Sequence, residues 1–123
     1  MGLYESGENY LETILILEKK NGVVRSIDIA TELDYSKASI SRAMGILKKA
    51  NYIIMEKNGD IVLTKKGREK ANQIYERHRL ITDYLIHALG VEREIATEDA
   101  CRIEHVISED SFMKIKEWVE KNT

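Results

Sequence analysis

Apolar residues recur every three or four positions through most of the chain, the spacing of helices that bury one face, and the rhythm changes only around residues 53 to 63. From residue 7 to about 20, Tyr10, Leu11, Ile14, Leu15 and Leu17 form such a face, with Ser6 placed to cap its start and Asn21-Gly22 to end it. The stretch RSIDIATELDYSKASISRAMGILKKANYI then predicts two short helices around the turn DYS. Ser26 stands where it can cap the first, whose apolar positions are Ile27, Ala30 and Leu33. Ser36 can cap the second, built on Ile40, Ala43, Met44 and Leu47. Two short amphipathic helices joined this tightly fit a helix-turn-helix, although the usual turn glycine is missing and Gly45 costs about 1 kcal/mol against alanine inside the second helix.

IIMEKNGDIVLT follows and predicts two short strands around Asn58-Gly59, the dipeptide that best supports a two-residue hairpin turn. A helix-turn-helix followed at once by a hairpin is a winged helix. Thr64 can cap a long helix over residues 65 to 89, with Ala71, Ile74, Tyr75, His78, Ile81, Leu85 and Ala88 on one stripe and Gly90 as its stop. Two more helices are expected over residues 98 to 107 and 109 to 121, the second capped by Ser108. The fold class is therefore mostly α: a winged helix-turn-helix in residues 1–64, then an all-α domain in residues 65–123, against which the first helix is expected to pack. The apolar stripes of the last fifty residues have too little chain to cover them, which points to a homodimer.

With 123 residues, 43% of them apolar, the chain can build a real core. Its single cysteine forbids an internal disulfide, and with no apolar run long enough for a signal peptide or a membrane span a cytoplasmic protein is expected. Net charge is −2, but residues 37 to 70 carry nine Lys or Arg against three acids, while residues 1 to 36 and 71 to 123 each stand at −4. A basic middle between acidic flanks suits a phosphate-binding module joined to a cation-binding or oligomerising one.

The second helix of a helix-turn-helix enters the major groove by its N-terminal turns, which here offer Lys37, Ala38, Ser39, Ser41 and Arg42. Arg42 can make a bidentate contact to guanine, Ser39 and Ser41 can reach bases or phosphate, and Ala38 can touch a thymine methyl. Lys37, Lys57, Lys65 and Lys66 are expected to neutralise phosphates of double-stranded operator DNA. A winged helix serving protein contacts is the plainer alternative.

The stretch EDACRIEHVIS poses a separate question. On a helix, Cys101 and His105 lie roughly 40° apart and Glu104 roughly 60° to the other side, so thiolate, carboxylate and imidazole share one face. Such a set can hold a divalent transition metal if other segments complete it. Equally, Cys101 reads as a small core residue flanked by a solvated edge. His78 on the long helix and Asn9 and Glu12 at i and i+3 on the first are the remaining donors, and each reads alone as core or surface. Cys101 and His105 could also serve as nucleophile and base, but no oxyanion element or glycine-rich phosphate loop accompanies them, so an enzyme is not expected.

ENYLETILIL, the winged helix, RHRL and above all ACRIEHV together resemble the iron-dependent, diphtheria-toxin-repressor-like family of metal-activated repressors, in the right order over essentially the whole chain. The resemblance implies a homodimeric repressor of metal-uptake genes that binds its operator when a divalent metal is bound. By that likeness Cys101, Glu104 and His105 match primary ligands, His78 a ligand of a second nearby site, and Glu12 the bridging glutamate of manganese-responsive relatives. Cys101 matches the iron-responsive branch, so ferrous iron is expected first and manganese next, with cobalt or zinc able to substitute. Asn9 departs from the methionine or aspartate usual there. Thr82 and Thr97 stand where iron-responsive members carry further ligands, and the C-terminal β-barrel of many of those members is absent, as in the short manganese-type proteins. A winged-helix regulator answering an organic ligand, or none, is the alternative.

Overall fold

Residues 5–123 are described by a computed structural model, with side-chain surroundings from residue 7 on. Among them are six helices and two strands: α1 (Glu5–Asn21), α2 (Ser26–Leu33), α3 (Lys37–Lys49), β1 (Ile53–Met55), β2 (Ile61–Leu63), α4 (Lys65–Leu89), α5 (Arg93–Val106) and α6 (Glu109–Asn122). Two compact units divide between Asn72 and Gln73, within α4.

In the N-terminal unit α1 packs on α2 and α3, which pack on each other. Ile14 and Leu15 of α1, Ile29 of α2, and Ile40, Met44 and Leu47 of α3 are buried. Burying each such side chain stabilises the unit by about 1.5–3 kcal/mol, which fixes the rotation of α3 about its own axis. Helix α1 is described from Glu5 on, so Ser6 already lies within it and does not precede it as a cap; the Ser6 side chain is outside the described residues. Ser36 does cap α3, its Oγ accepting from the Ser39 N–H at 3.1 Å. The turn without a glycine is made by Asp34, which takes φ 56° and ψ 47°, a left-handed conformation that aspartate tolerates better than most residues.

Ser26 is not the cap of α2. That place belongs to Arg25, whose N–H donates to Asp28 Oδ2 at 2.8 Å. The reason lies in the wing. Ile61 N–H donates to the Val24 carbonyl at 2.7 Å and Arg25 Nε meets Asp60 Oδ1 at 2.9 Å, so the segment entering α2 is held extended along the hairpin edge up to Arg25 and the helix starts one residue earlier than a Ser26 cap implies. Strands β1 and β2 pair antiparallel with Ile53 opposite Leu63 and Met55 opposite Ile61. Their connection is wider than a two-residue turn. Gly59 N–H donates to the Glu56 carbonyl and Glu56 N–H to the Asp60 carbonyl, both at 2.9 Å, and Gly59 takes φ 92°. Lys57 and Asn58 thus fill the centre of a three-residue loop closed by a left-handed glycine. Asn58 Oδ1 accepts from the Asp60 N–H at 3.0 Å, which favours this wider loop.

Thr64 caps α4 as expected, its Oγ1 accepting from Gly67 N–H at 3.0 Å and donating to the Asn51 carbonyl at 2.6 Å. Arg68 donates twice to the Glu18 carboxylate, at 2.7 and 3.0 Å, tying the start of α4 to the end of α1. That hydrogen bonding holds the Glu18 carboxyl below its ordinary value.

In the C-terminal unit α4 ends where expected. Gly90 takes φ 72°, and Gly90 and Val91 N–H donate to the carbonyls of Ile86 and Leu85, each at 3.0 Å. Helix α5 starts at Arg93 and not near residue 98. Only Ile95 and Ala96 are apolar in EIATED, too few to show a period, yet Ala96 and Ala100 are fully buried, and Thr97 Oγ1 donates to its own helix at the Arg93 carbonyl, 2.8 Å away. Ser108 caps α6 through Ser111 N–H at 3.1 Å. Leu80, Ile81, Ala100, Phe112 and Val119 form the core of this unit, with Tyr84 edge-on to Trp118 at 5.4 Å between ring centroids. Leu89, Ile95, Val106 and Met113 remain exposed on it. No helix among the described residues is long and apolar enough to cross a membrane.

Gly67 decides a sign. A Cβ there would fall inside the van der Waals envelope of the Tyr52 carbonyl oxygen, a backbone atom that cannot swing aside. Helix propensity alone would make Gly67→Ala stabilising by about 1 kcal/mol. The clash is expected to outweigh this and give a net loss of about 1–3 kcal/mol in urea unfolding; an unchanged or raised midpoint would show that the helix start does not depend on this approach.

Candidate metal centre and nucleic-acid interface

Helices α4 and α5 bring His78, Cys101, Glu104 and His105 together. His78 Nδ1 lies 3.0 Å from Glu104 Oε2 and 3.8 Å from Cys101 Sγ, and His105 Nε2 lies 3.2 Å from Glu104 Oε1. One donor atom each from His78, Cys101 and Glu104 fall within 4.8 Å of one another. Glu104 is buried, His78 half-buried and Cys101 exposed, so a carboxylate anchors the floor of the cluster and a thiol its rim. A soft sulfur, an imidazole and a hard carboxylate at this separation fit a divalent transition ion of borderline softness. Glu12 and Asn9 belong to the N-terminal unit, on α1: Glu12 is buried, and the Asn9 main-chain carbonyl accepts from Thr13 Oγ1 at 2.8 Å.

Hydrogen bonding to Cys101 and to Glu104 favours the charged imidazole of His78 and outweighs burial, pushing its pKa up to about 10. His78 also lines a shallow cleft of about 150 Å³, together with Tyr75, Arg79, Thr82, Asp83, Arg93 and Thr97. Its two threonines are turned to their own helices, Thr82 Oγ1 donating to the His78 carbonyl at 2.7 Å and Thr97 Oγ1 to that of Arg93. Sequence reading passed over Arg77, which carries no periodic signal of its own. Its guanidinium donates to the carbonyls of Glu104 and Ile107 at the end of α5.

On α3 the two faces separate cleanly. Ile40, Met44 and Leu47 are buried, while Lys37, Ala38, Ser39, Ser41 and Arg42 are exposed on its first turns. Ser39 is partly engaged, its hydroxyl accepting from Ser36 Oγ at 2.9 Å. Lys57 at the hairpin tip and Lys65 at the start of α4 are exposed. Lys66, expected at a phosphate, has a partner inside the unit: its Nζ donates to the Ala50 carbonyl at 2.9 Å, capping α3, and sits 4.3 Å from the centroid of the Tyr52 ring. The cue was the run KKA at the end of α3, whose carbonyls need donors.

The family model described as the N-terminal DNA binding domain of the iron dependent repressor matches residues 2–61, and that described as its metal binding and dimerisation domain matches residues 64–123. The chain belongs to the iron-dependent repressor family. Among the relatives of this repressor-family chain, an HTH-type transcriptional regulator of Methanocaldococcus jannaschii is 30% identical over 118 residues, covering 95% of this chain and 94% of its own. The regulator MntR of Bacillus subtilis is 34% identical over 115 residues, covering 94% and 80%. Among solved structures, that of the manganese regulator SloR superposes with a TM-score of 0.81 at 25% identity, covering 98% of this chain and 55% of SloR. The repressor-family chain thus spans about half the length of that solved relative.

The electrostatics give this family member a proton to displace. Since the His78 pKa is raised to about 10, the proton it holds contributes stability that is fully present below the ordinary histidine value near 6.5 and is lost as pH rises through about 10. In chelator-treated protein the His78 imidazole is expected to give a flat NMR titration between pH 6 and 8. A midpoint near 6.5 would refute the paired imidazolium.

Proposed function

We propose that the chain is a divalent-metal-activated, DNA-binding transcriptional repressor of metal-uptake genes, acting in the cytoplasm as a homodimer and without enzymatic activity. The observation that carries this reading is the convergence of His78, Cys101 and Glu104 in a chain that also holds an exposed basic face on α3. Membership in the iron-dependent repressor family supports it. On this reading residues 1–64 are the DNA-binding domain and residues 65–123 the dimerisation and metal-binding domain. The exposed Leu89, Ile95, Val106 and Met113 favour a second copy as their cover.

His78, Cys101, Glu104 and His105 are the proposed ligands from α4 and α5, and Glu12 and Asn9 join them by family resemblance alone. A bound divalent cation would supply positive charge to the buried Glu104 carboxylate. The side chains do the rest. To hold the cation, His78 and Cys101 would each give up a proton, while Glu104, already buried, would offer its carboxylate. Moving the chain from 1:99 to 99:1 in favour of its DNA-binding form requires about 5.5 kcal/mol of differential affinity.

Ferrous iron is the proposed ligand, with manganese next and cobalt or zinc as substitutes, because a thiolate favours softer ions than a carboxylate does. Binding to a duplex selected from random sequence should be activated by iron(II) or cobalt(II) at lower free concentration than by manganese(II), and Cys101→Asp should narrow or reverse the gap. Equal activation of both proteins by every metal would make Cys101 a packing residue.

The DNA face can be dissected in the same assay. Arg42→Ala should relax sequence preference, Lys65→Ala should weaken all duplexes alike and flatten the salt slope by about one, and Lys66→Ala should lower unfolding stability with little change in slope. If Arg42→Ala weakens selected and random duplexes equally, Arg42 does not read bases.

A further inference from the structure

We infer that Arg77 is a positioning residue for the metal cluster: it clamps the last turn of α5 from α4, so that Glu104 and His105 are presented in register with His78. The inference deepens the proposed function and rests on it. A helix C-terminus leaves its last carbonyls without intrahelical partners. In α5 those carbonyls belong to the turn that carries Glu104 and His105, and the Arg77 guanidinium takes one of them together with that of the C-cap residue, Nη1 reaching the Glu104 oxygen at 3.4 Å and the Ile107 oxygen at 3.3 Å. Its other arm, Nη2, meets Glu109 Oε2 at 2.6 Å in the first turn of α6, and its Cζ lies 5.1 Å from the centroid of the Phe112 ring. One planar cation therefore fixes the end of α5 and the start of α6 together. Because Arg77 is the immediate neighbour of His78, a single turn of α4 supplies both a ligand and the brace for the residues facing it.

The chemistry asks for arginine. Only a guanidinium has donors spread widely enough to serve two carbonyls on one edge and a carboxylate on the other while its face rests on an aromatic ring. Lysine keeps the charge and can satisfy one partner at a time. With the brace removed, the Glu104 and His105 backbones can drift by fractions of an ångström. That drift scarcely affects a folded helix pair, yet it is costly to a ligand set, where outer partners typically govern affinity by about 10–100-fold.

The test titrates cobalt(II) into the full chain and follows the thiolate-to-cobalt charge-transfer band, beside urea unfolding of chelator-treated protein. For Arg77→Gln the cobalt dissociation constant is expected to rise by about tenfold or more while the metal-free unfolding midpoint moves little. Arg77→Lys should fall between it and wild type and stands in if the glutamine variant does not fold. Glu109→Gln, which releases one arm, should have the smaller effect. Arg77 variants that stay folded and bind cobalt with wild-type affinity would overturn the inference alone. A wild-type protein that gives no charge-transfer band would overturn the metal reading and the inference with it.

Discussion

A carboxylate buried between two imidazoles organises the C-terminal unit. Glu104 is only 1% exposed, and its two oxygens face His78 on one side and His105 on the other. An ionised carboxylate out of water needs a compensating cation nearby, and the protonated His78 imidazole at 3.0 Å is one. On the proposed function, a proton and a metal ion would compete for that buried charge, and the unit would respond to which of them is present. Cys101 lies at the rim, open to solvent, where on the same proposal its identity would bias that competition without disturbing the floor beneath.

The N-terminal unit is organised differently, by backbone groups answered one at a time. Asp34 makes the turn before α3, Ser36 caps that helix, Lys66 closes its other end, and Thr64 links the start of α4 to the loop that follows α3. The recognition helix is held at both ends and along its buried stripe. Its solvent face is left to carry charge and hydroxyls that contribute little to holding the unit together.

Much of this was readable in the chain. Every helix was anticipated, because a three-to-four-residue apolar period survives whatever the helices later pack against, and Ser36, Thr64, Ser108 and Gly90 do at the helix ends what their residue types suggest. The misreadings have separate causes: one long-range contact, one local side-chain bond and one weak apolar signal. Ser26 lost the cap because Arg25 is drawn to Asp60 on the hairpin. Asn58-Gly59 formed a wider loop because Asn58 and Asp60 bond to each other. The early start of α5 was hidden because two alanines, weak signals in a polar run, do its burying. In the site, shared spacing pointed to Cys101, Glu104 and His105, and the arrival of His78 at 3.0 Å from Glu104 required α4 and α5 to be seen side by side. Nothing in the spacing marked Arg77.

The wing's three-residue loop separates shape from chemistry. Its closing hydrogen bonds run through Glu56, Asn58, Gly59 and Asp60, and Lys57 sits among them without supplying any. Position 57 is consequently an evolutionary free parameter: its charge, length or polarity can change over generations while the hairpin keeps its register, so the tip can be retuned without renegotiating the fold.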